Sequence, residues 1–245
     1  AAVRCLSMTD IALNESLGSS YDQARERLRN ALEAAGRAQD AAKLLAVSKT
    51  KPAAMIRQVW QLGQREFGEN YLQEALEKQT ELADLDDIVW HFIGPLQSNK
   101  TRAVAEHFDW VHSVDRLKIA KRLSEQRPAH LAPLNICLQV NISREESKAG
   151  VLPEALEELA KEVATLPNLH LRGLMAIPAP TEGVDAQRQP LAALREALTS
   201  LQSSLPDAPL DTLSMGMSDD LEAAVLEGAT LVRLGTAIFG TRQSA

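Results

Sequence analysis

Cysteine is nearly absent from this chain of 245 residues, and the two present, Cys5 and Cys137, have neither the number nor the spacing of a disulfide framework or a thiolate metal site. That scarcity fits a reducing, cytoplasmic setting. Aromatic residues are few as well: three Trp, two Tyr and four Phe, scattered along the chain, offer no stacking platform for bases. Positive charge is in deficit, with 26 Lys and Arg against 33 Asp and Glu and a net charge of −7. Such a field recruits neither phosphate backbones nor anionic lipid, so no nucleic-acid or membrane partner is expected. No run approaches the roughly 20 apolar residues that a membrane span needs, and no basic-then-apolar leader opens the chain. None of the five histidines falls in an H-E-x-x-H pattern or a Cys/His cluster, which leaves a metal site without support. Residues 1–7 carry no periodicity and read as a frayed terminus.

What is present is an alternation of short apolar runs with longer helix-like stretches, repeated eight times from about residue 43 to the end. The expected strands are Leu44–Ser48, Glu66–Gly68, Val89–Gly94, Trp110–Ser113, Asn135–Asn141, His170–Ile177, Thr212–Met215 and Thr230–Leu234. Helix punctuation lies between them: Pro52 and Pro153 in first turns, Asp115 and Ser218 as N-caps, Gly63 and Gly228 as stops. Leu191, Leu194, Leu198, Leu201 and Leu205 form one apolar stripe, which Pro190 and Pro206 should confine to a short helix. With an opening helix near Tyr21 to Ala35, eight strand-helix units predict a closed parallel (β/α)8 barrel of α/β class. A doubly wound open sheet is the alternative. It is weakened because Val47-Ser48-Lys49-Thr50-Lys51-Pro52 stands where a G-x-G-x-x-G would follow the first strand.

In a barrel, chemistry belongs to the loops at the C-terminal ends of the strands. Lys49 shares parity with Leu45 and Val47 just past the first strand. Partial desolvation and the nearby Lys51 would both favour a free amine there, able to attack a carbonyl. A solvated loop lysine is the bland alternative. After strands seven and eight, Ser214-Met215-Gly216-Met217-Ser218 and Leu234-Gly235-Thr236-Ala237 have the glycines and hydroxyls of a phosphate-binding pair of loops, although Ser218 also reads as an ordinary N-cap and Asp219 and Asp220 oppose a dianion. Arg233, inside the last strand, must find an acceptor: either a structural carboxylate or a bound ligand. His91, between Trp90 and Phe92, reads as a packed core histidine. A phosphorylated carbonyl compound fits these features together.

The ordered set Ala46-Val47-Ser48-Lys49-Thr50-Lys51-Pro52, Phe67-Gly68-Glu69-Asn70-Tyr71, Trp90-His91-Phe92-Ile93-Gly94-Pro95-Leu96-Gln97-Ser98-Asn99-Lys100, Ser147-Lys148-Ala149-Gly150, Gly173-Leu174-Met175-Ala176-Ile177 and Val232-Arg233-Leu234-Gly235-Thr236 resembles the pyridoxal phosphate homeostasis protein family over nearly the whole chain from about residue 20. The resemblance implies a single (β/α)8 TIM barrel similar to the N-terminal domain of alanine racemase, spanning 20–245 after a flexible segment at 1–19. It also implies pyridoxal 5′-phosphate (PLP) held as an aldimine on Lys49, with Ser218, Gly235 and Thr236 on the phosphate, Arg233 at the pyridine nitrogen, Asn70 and the Ser214 to Met217 loop lining the pocket, and His91 and Ile93 near the cofactor face. An arginine there weakens the ring as an electron sink. The sequence also stops five residues after Gly240 and has only Tyr21 and Tyr71 as tyrosines, so no second acid/base domain is expected. The implied role is therefore vitamin B6 and amino-acid homeostasis with little or no turnover, and PLP-dependent apoenzymes as recipients. A PLP-dependent racemase and a Schiff-base aldolase acting on a sugar phosphate are the alternatives.

Overall fold

The computed structural model describes residues 7–146 and 148–241. Residues 1–6 of the expected frayed terminus, and Ser147 of the motif at 147–150, lie outside the described residues. All eight expected strands are present, in the order expected: β1 (Lys43–Val47), β2 (Glu66–Glu69), β3 (Val89–Phe92), β4 (Trp110–Val114), β5 (Leu134–Gln139), β6 (Leu169–Met175), β7 (Thr212–Ser214) and β8 (Leu231–Leu234). They pair in sequence order, all parallel, and β8 returns to β1 to close the barrel. The open-sheet alternative is excluded.

Alternation along the strands separates two surfaces. Leu44 and Ala46 of β1, Phe67 of β2, Trp90 and Phe92 of β3, and Val232 and Leu234 of β8 belong to the hydrophobic core shared with the helices. The intervening positions turn inward. A Cβ placed on Gly68 would touch the side chains of Leu45 and Ile93, and Arg233 is in register with Leu45. The shell consists of α1 (Met8–Ala34), α2 (Ala53–Gln61), α3 (Leu72–Glu81), α4 (Thr101–His107), α5 (Leu117–Gln126), α6 (Pro153–Ala164), α7 (Val184–Ser204), α8 (Leu221–Leu226) and the short α9 (Thr236–Phe239).

Several boundaries differ from expectation for physical reasons. The first helix begins at Met8 rather than near Tyr21, and so takes in the described part of the segment expected to be flexible. Leu17, Tyr21, Ala24, Leu28, Ala31 and Leu32 recur at helical spacing and are buried. Pro190 does not end its helix but sits inside α7. The four buried leucines Leu191, Leu194, Leu198 and Leu201 hold the helix against the core despite the N–H that proline lacks. Asp115 is not an N-cap; its carboxylate accepts the Gly150 N–H at 3.0 Å, and Arg116 precedes α5. Nor does Ser218 cap α8, because residues 217–220 form a turn in which Asp220 Oδ1 accepts the Met217 N–H at 2.7 Å. Pro153 opens the first turn of α6 as expected, Pro52 stands one residue earlier than expected as the N-cap of α2, and Gly63 and Gly228 stop their helices with positive φ just past the ends.

Adjacent strands leave no room at Gly173, where a Cβ would lie 1.8 Å from the Thr212 carbonyl oxygen. Gly173→Ala should therefore cost about 2–3 kcal/mol, or prevent folding. Gly18→Ala, in open space on α1, should instead stabilise by about 0.5–1 kcal/mol. Urea midpoints of the two variants should move in opposite directions.

Candidate functional site

The C-terminal end of β1 turns sharply into α2. The Ser48 carbonyl accepts the Lys51 N–H at 3.1 Å, making Lys49 and Thr50 the central pair of a turn. Thr50 has φ 64°, a conformation that favours glycine and that type II turns require at this position. A non-glycine residue persists there only where its surroundings hold it. The hold comes from below. Lys78 of α3 places its Nζ 2.8 Å from the same Ser48 carbonyl and 2.9 Å from Glu69 Oε1. Ser48 Oγ donates to Glu69 Oε2 at 2.5 Å, and the Thr50 N–H donates to Glu74 at 3.2 Å. Glu69 is fully buried and Lys78 nearly so. Burial pushes the Glu69 carboxyl above its ordinary value, against the opposing pull of Lys78 and Ser48.

On this support Lys49 is exposed, so the partial desolvation expected from the sequence is not realised. Lys51 points away to donate to the Thr241 carbonyl at 3.2 Å. The pairing of β1 with β8 brings the last loop alongside: a Cβ on Gly235 would lie a tight 3.2 Å from the Val47 carbonyl oxygen, so a side chain there would push the two backbones slightly apart. Thr236 opens α9 and is exposed. The first-turn amides of a helix lack intrahelical partners. Asn70, next to the end of β2, is packed beneath Gly94, whose Cβ would lie 2.3 Å from the Asn70 carbonyl oxygen. Its side-chain Oδ1 is buried without a hydrogen-bond partner.

A cavity of about 760 Å³ opens beside this rim, bounded by the loop at 177–183 after β6 and by Gly216, Met217, Asp219, Asp220 and Arg233. Met217 and Arg233 line it; Lys49, Asn70, Ser218, Gly235 and Thr236 stand on the same rim outside it. Ser218 is exposed, and its carbonyl accepts Arg27 Nη2 from α1 at 2.5 Å. Arg233 is 5% exposed and has no carboxylate partner among the described residues. Its Nη1 donates to Ser214 Oγ at 2.7 Å and its Nη2 to the Ala176 carbonyl at 3.1 Å. Burial pushes its pKa down to about 10, which still leaves it charged at neutral pH. The structural ion pair considered for it is therefore absent. His91 is buried, as expected of a core histidine, and bonded to His112 and Glu66. Burial pushes the Cys137 thiol up to about 12, so it has no thiolate character at neutral pH. Among the described residues no helix is long and apolar enough to cross a membrane, and no His/Cys/Asp/Glu group could hold a metal.

Sequence reasoning located Lys49, Arg233 and the glycine loops but missed Ser48, Glu69 and Lys78 as the support beneath Lys49. Lys78 carries no distinctive signal, since a lysine four residues after Glu74 reads as a solvated helix pair. Glu69 does carry one: a carboxylate at a strand end between Gly68 and Asn70.

A closed parallel barrel with a lysine at the mouth of its first strand and glycine loops after its last two defines a class, and comparison agrees with it. A profile of the alanine racemase N-terminal domain matches residues 20–243. The chain belongs to the pyridoxal phosphate homeostasis protein family. It is 66% identical to the pyridoxal phosphate homeostasis protein of Pseudomonas aeruginosa over 88% of this chain and 91% of that one. To the Escherichia coli K12 protein of the same name it is 52% identical over 96% and 98% of the two chains. Among solved structures, PipY of Synechococcus elongatus with PLP bound superposes with a TM-score of 0.77 at 41% identity, covering 87% of this chain and all of that one. The alanine racemase of Corynebacterium glutamicum, 19% identical with a TM-score of 0.65, shares the fold.

The buried Glu69–Lys78 pair gives a stability prediction. Lys78→Met strands the carboxylate and should cost about 3–5 kcal/mol at neutral pH. Glu69 already has a raised folded-state pKa, and without Lys78 it should rise further, so the loss should shrink as pH falls and the carboxyl takes up a proton. Urea titrations of both proteins across the acidic range would measure it.

Proposed function

We propose that this chain binds PLP covalently through Lys49 and acts in vitamin B6 and amino-acid homeostasis by holding the cofactor rather than by turning over a substrate. The observation that carries the reading is the juxtaposition of the Lys49 turn with Gly235 and Thr236 across the β1–β8 closure, with the buried Arg233 two residues before Gly235 on β8. The names of the relatives and the PLP-bound PipY structure support it.

The residues fit the cofactor. When bound, PLP supplies an aldehyde that condenses with an amine and an electron-poor ring. Lys49 supplies the amine from an exposed position held by a clamped turn. Ser218, Gly235 and Thr236 are the phosphate-side residues, with backbone amides and hydroxyls as donors. The orphaned Oδ1 of Asn70 is an acceptor waiting for a ligand donor. Met217 lines the flank of the pocket. Arg233 is the donor for the ring nitrogen.

That last assignment favours holding over conversion. A carboxylic acid can keep a ring nitrogen protonated, whereas a guanidinium donates a hydrogen bond and retains its own proton. Of the two tyrosines, Tyr21 is buried and bonded to Gln64 Oε1 at 2.7 Å, away from Lys49, and Tyr71 is exposed at the start of α3. An exposed Lys49 also leaves a bound aldehyde within reach of an incoming amine, which suits transfer to PLP-dependent apoenzymes.

Addition of PLP should produce an absorption band that borohydride abolishes, and peptide mass mapping should place the reduced adduct on Lys49. No adduct, or one on another lysine, would overturn the reading. Lys49→Ala should lose the covalent link yet retain weaker binding through the phosphate loops. Incubation of the loaded protein with individual L-amino acids should leave their enantiomeric purity intact; sustained racemisation that Lys49→Ala abolishes would make the protein a racemase.

A further inference from the structure

Behind Arg233 the barrel interior holds a continuous line of polar side chains. Arg233 Nη1 lies 2.7 Å from Ser214 Oγ, Ser214 Oγ lies 2.8 Å from His112 Nδ1, His112 Nε2 lies 2.9 Å from His91 Nδ1, and His91 Nε2 lies 3.0 Å from Glu66 Oε1. The line runs through β8, β7, β4, β3 and β2. Ser214, His112 and His91 are fully buried. Glu66, the first residue of β2, ends the line at the opposite rim, where Lys43 Nζ lies 3.4 Å from its other oxygen.

We infer that these residues form a one-way hydrogen-bond relay in which every donor points from Arg233 toward Glu66, so that Ser214, His112, His91 and Glu66 are positioning residues for the Arg233 guanidinium.

The direction follows from the ends. A guanidinium has donors only, so Ser214 Oγ must accept from Arg233. The hydroxyl proton of Ser214 then needs an acceptor, and His112 Nδ1 is its one other side-chain partner among the described residues. A bare Nδ1 puts the proton of His112 on Nε2, which donates to His91 Nδ1. That leaves His91 with its proton on Nε2, which donates to Glu66. The line ends on an ionised carboxylate, a group with acceptors only.

Each rival arrangement fails at the same atom. A cationic His112, a cationic His91 or a line reversed by a protonated Glu66 all place a proton on His112 Nδ1. Ser214 Oγ would then receive two donors, and its own hydrogen would be buried without a partner. The electrostatics agree. Burial above all, with the charge of Arg233 beside it, drives the His112 pKa well below its ordinary value. Burial raises the Glu66 carboxyl, while the hydrogen bond from His91 and the charge and hydrogen bond of Lys43 pull it the other way and favour the ionised form. The other groups facing the line are Cys137 and Asp220, which act on Arg233, and Arg172, 4.8 Å above the Trp110 ring that stacks on His91.

Two consequences follow for Arg233. Its guanidinium is anchored on one edge by Ser214 and on the other by the Ala176 carbonyl, which fixes the direction of its remaining donors. Its positive charge is also partly answered by aligned dipoles ending on Glu66, rather than by a carboxylate in contact with it. A contacting carboxylate would compete with a ligand for the same donors; a relay does not. The link to the cofactor ring rests on the proposed function above, whereas the relay itself does not.

The test is a long-range 1H–15N correlation spectrum of the imidazole rings in the full chain without cofactor, at pH about 6 and about 8. His91 and His112 should both appear as neutral Nε2–H tautomers at both pH values. A proton on Nδ1, or a cationic ring, at either residue would overturn the relay. Glu66→Gln should keep both tautomers, with the amide oxygen accepting from His91; inverted tautomers would show that the order is set by Glu66 rather than by Arg233 and Ser214. Ser214→Ala should populate the Nδ1–H form of His112. With PLP added, Ser214→Ala should shift the absorption maximum of the Lys49 adduct. An unshifted maximum with Lys49 still labelled would sink the link from relay to ring and leave the cofactor reading standing. Labelling elsewhere would sink the cofactor reading and leave the relay to the ring spectra.

Discussion

Four consecutive residue pairs between β1 and β8, from Lys43 with Leu231 to Ala46 with Leu234, close the barrel, and the site depends on that closure. It makes neighbours of the first and last loops of the sheet, so that the turn carrying Lys49 and the glycine loop at 235 lie side by side, closely packed at Gly235 and Val47. It also leaves the sheet without an exposed edge. The alternation that presents Leu44 and Ala46 to the helices sends Leu45 and its partner Arg233 inward, and a closed interior offers no solvent to a charge. Closure therefore creates the pocket and, in the same step, the requirement that the interior satisfy its own polar groups.

One buried polar system lies between the sheet and α3, another meets that requirement inside the barrel, and they share no residue. The first, made of Ser48, Glu69 and Lys78, lies under the Lys49 turn and holds a left-handed threonine in place. The other runs from Glu66 through two histidines and a serine to Arg233. Neither is an efficient route to stability, because desolvating charged groups offsets much of what their pairing returns. What they supply is orientation. The ion pair fixes where the Lys49 backbone turns, and the second line fixes how the guanidinium is rotated.

Much of this architecture is legible in the sequence, and the illegible part has a common cause. The strands show because inward and outward positions alternate with a period of two, and the leucine stripe of α7 shows because its spacing is helical. Lys49 and Arg233 show because charged residues are unexpected at a strand end and inside a strand. The helix boundaries are less legible: burial of Leu17 and Leu28 carries α1 back to Met8, and the leucine stripe carries α7 through Pro190, since tertiary packing outweighs local punctuation. Least legible are the partners. His91 reads correctly as a buried histidine, but its mate His112 is 21 residues away and Ser214 a further 102. Lys78 looks like a surface residue on a charged helix until α3 is laid against β2.

The barrel alone does not decide between holding a cofactor and using it, since one fold hosts many chemistries. The site does bear on that choice. Under the proposed function, the lysine stands in solvent, where a bound aldehyde stays open to exchange, while the donor assigned to the ring is a buried cation that keeps its proton. A site built for turnover needs groups that change protonation state within reach of the reacting atoms. Of the groups that could do so, His91, His112 and Glu66 lie behind Arg233, inside the barrel, whereas Lys49 stands on the rim and Asp219 and Asp220 line the cavity. The hydrogen bonds of the first three run from Ser214 to Glu66 at the opposite rim, beside Lys43, and not toward the mouth that carries Lys49. Under the proposed function, the titratable groups inside the barrel serve to place a fixed charge, and a fixed charge suits retaining a phosphorylated aldehyde more than reshaping what becomes attached to it.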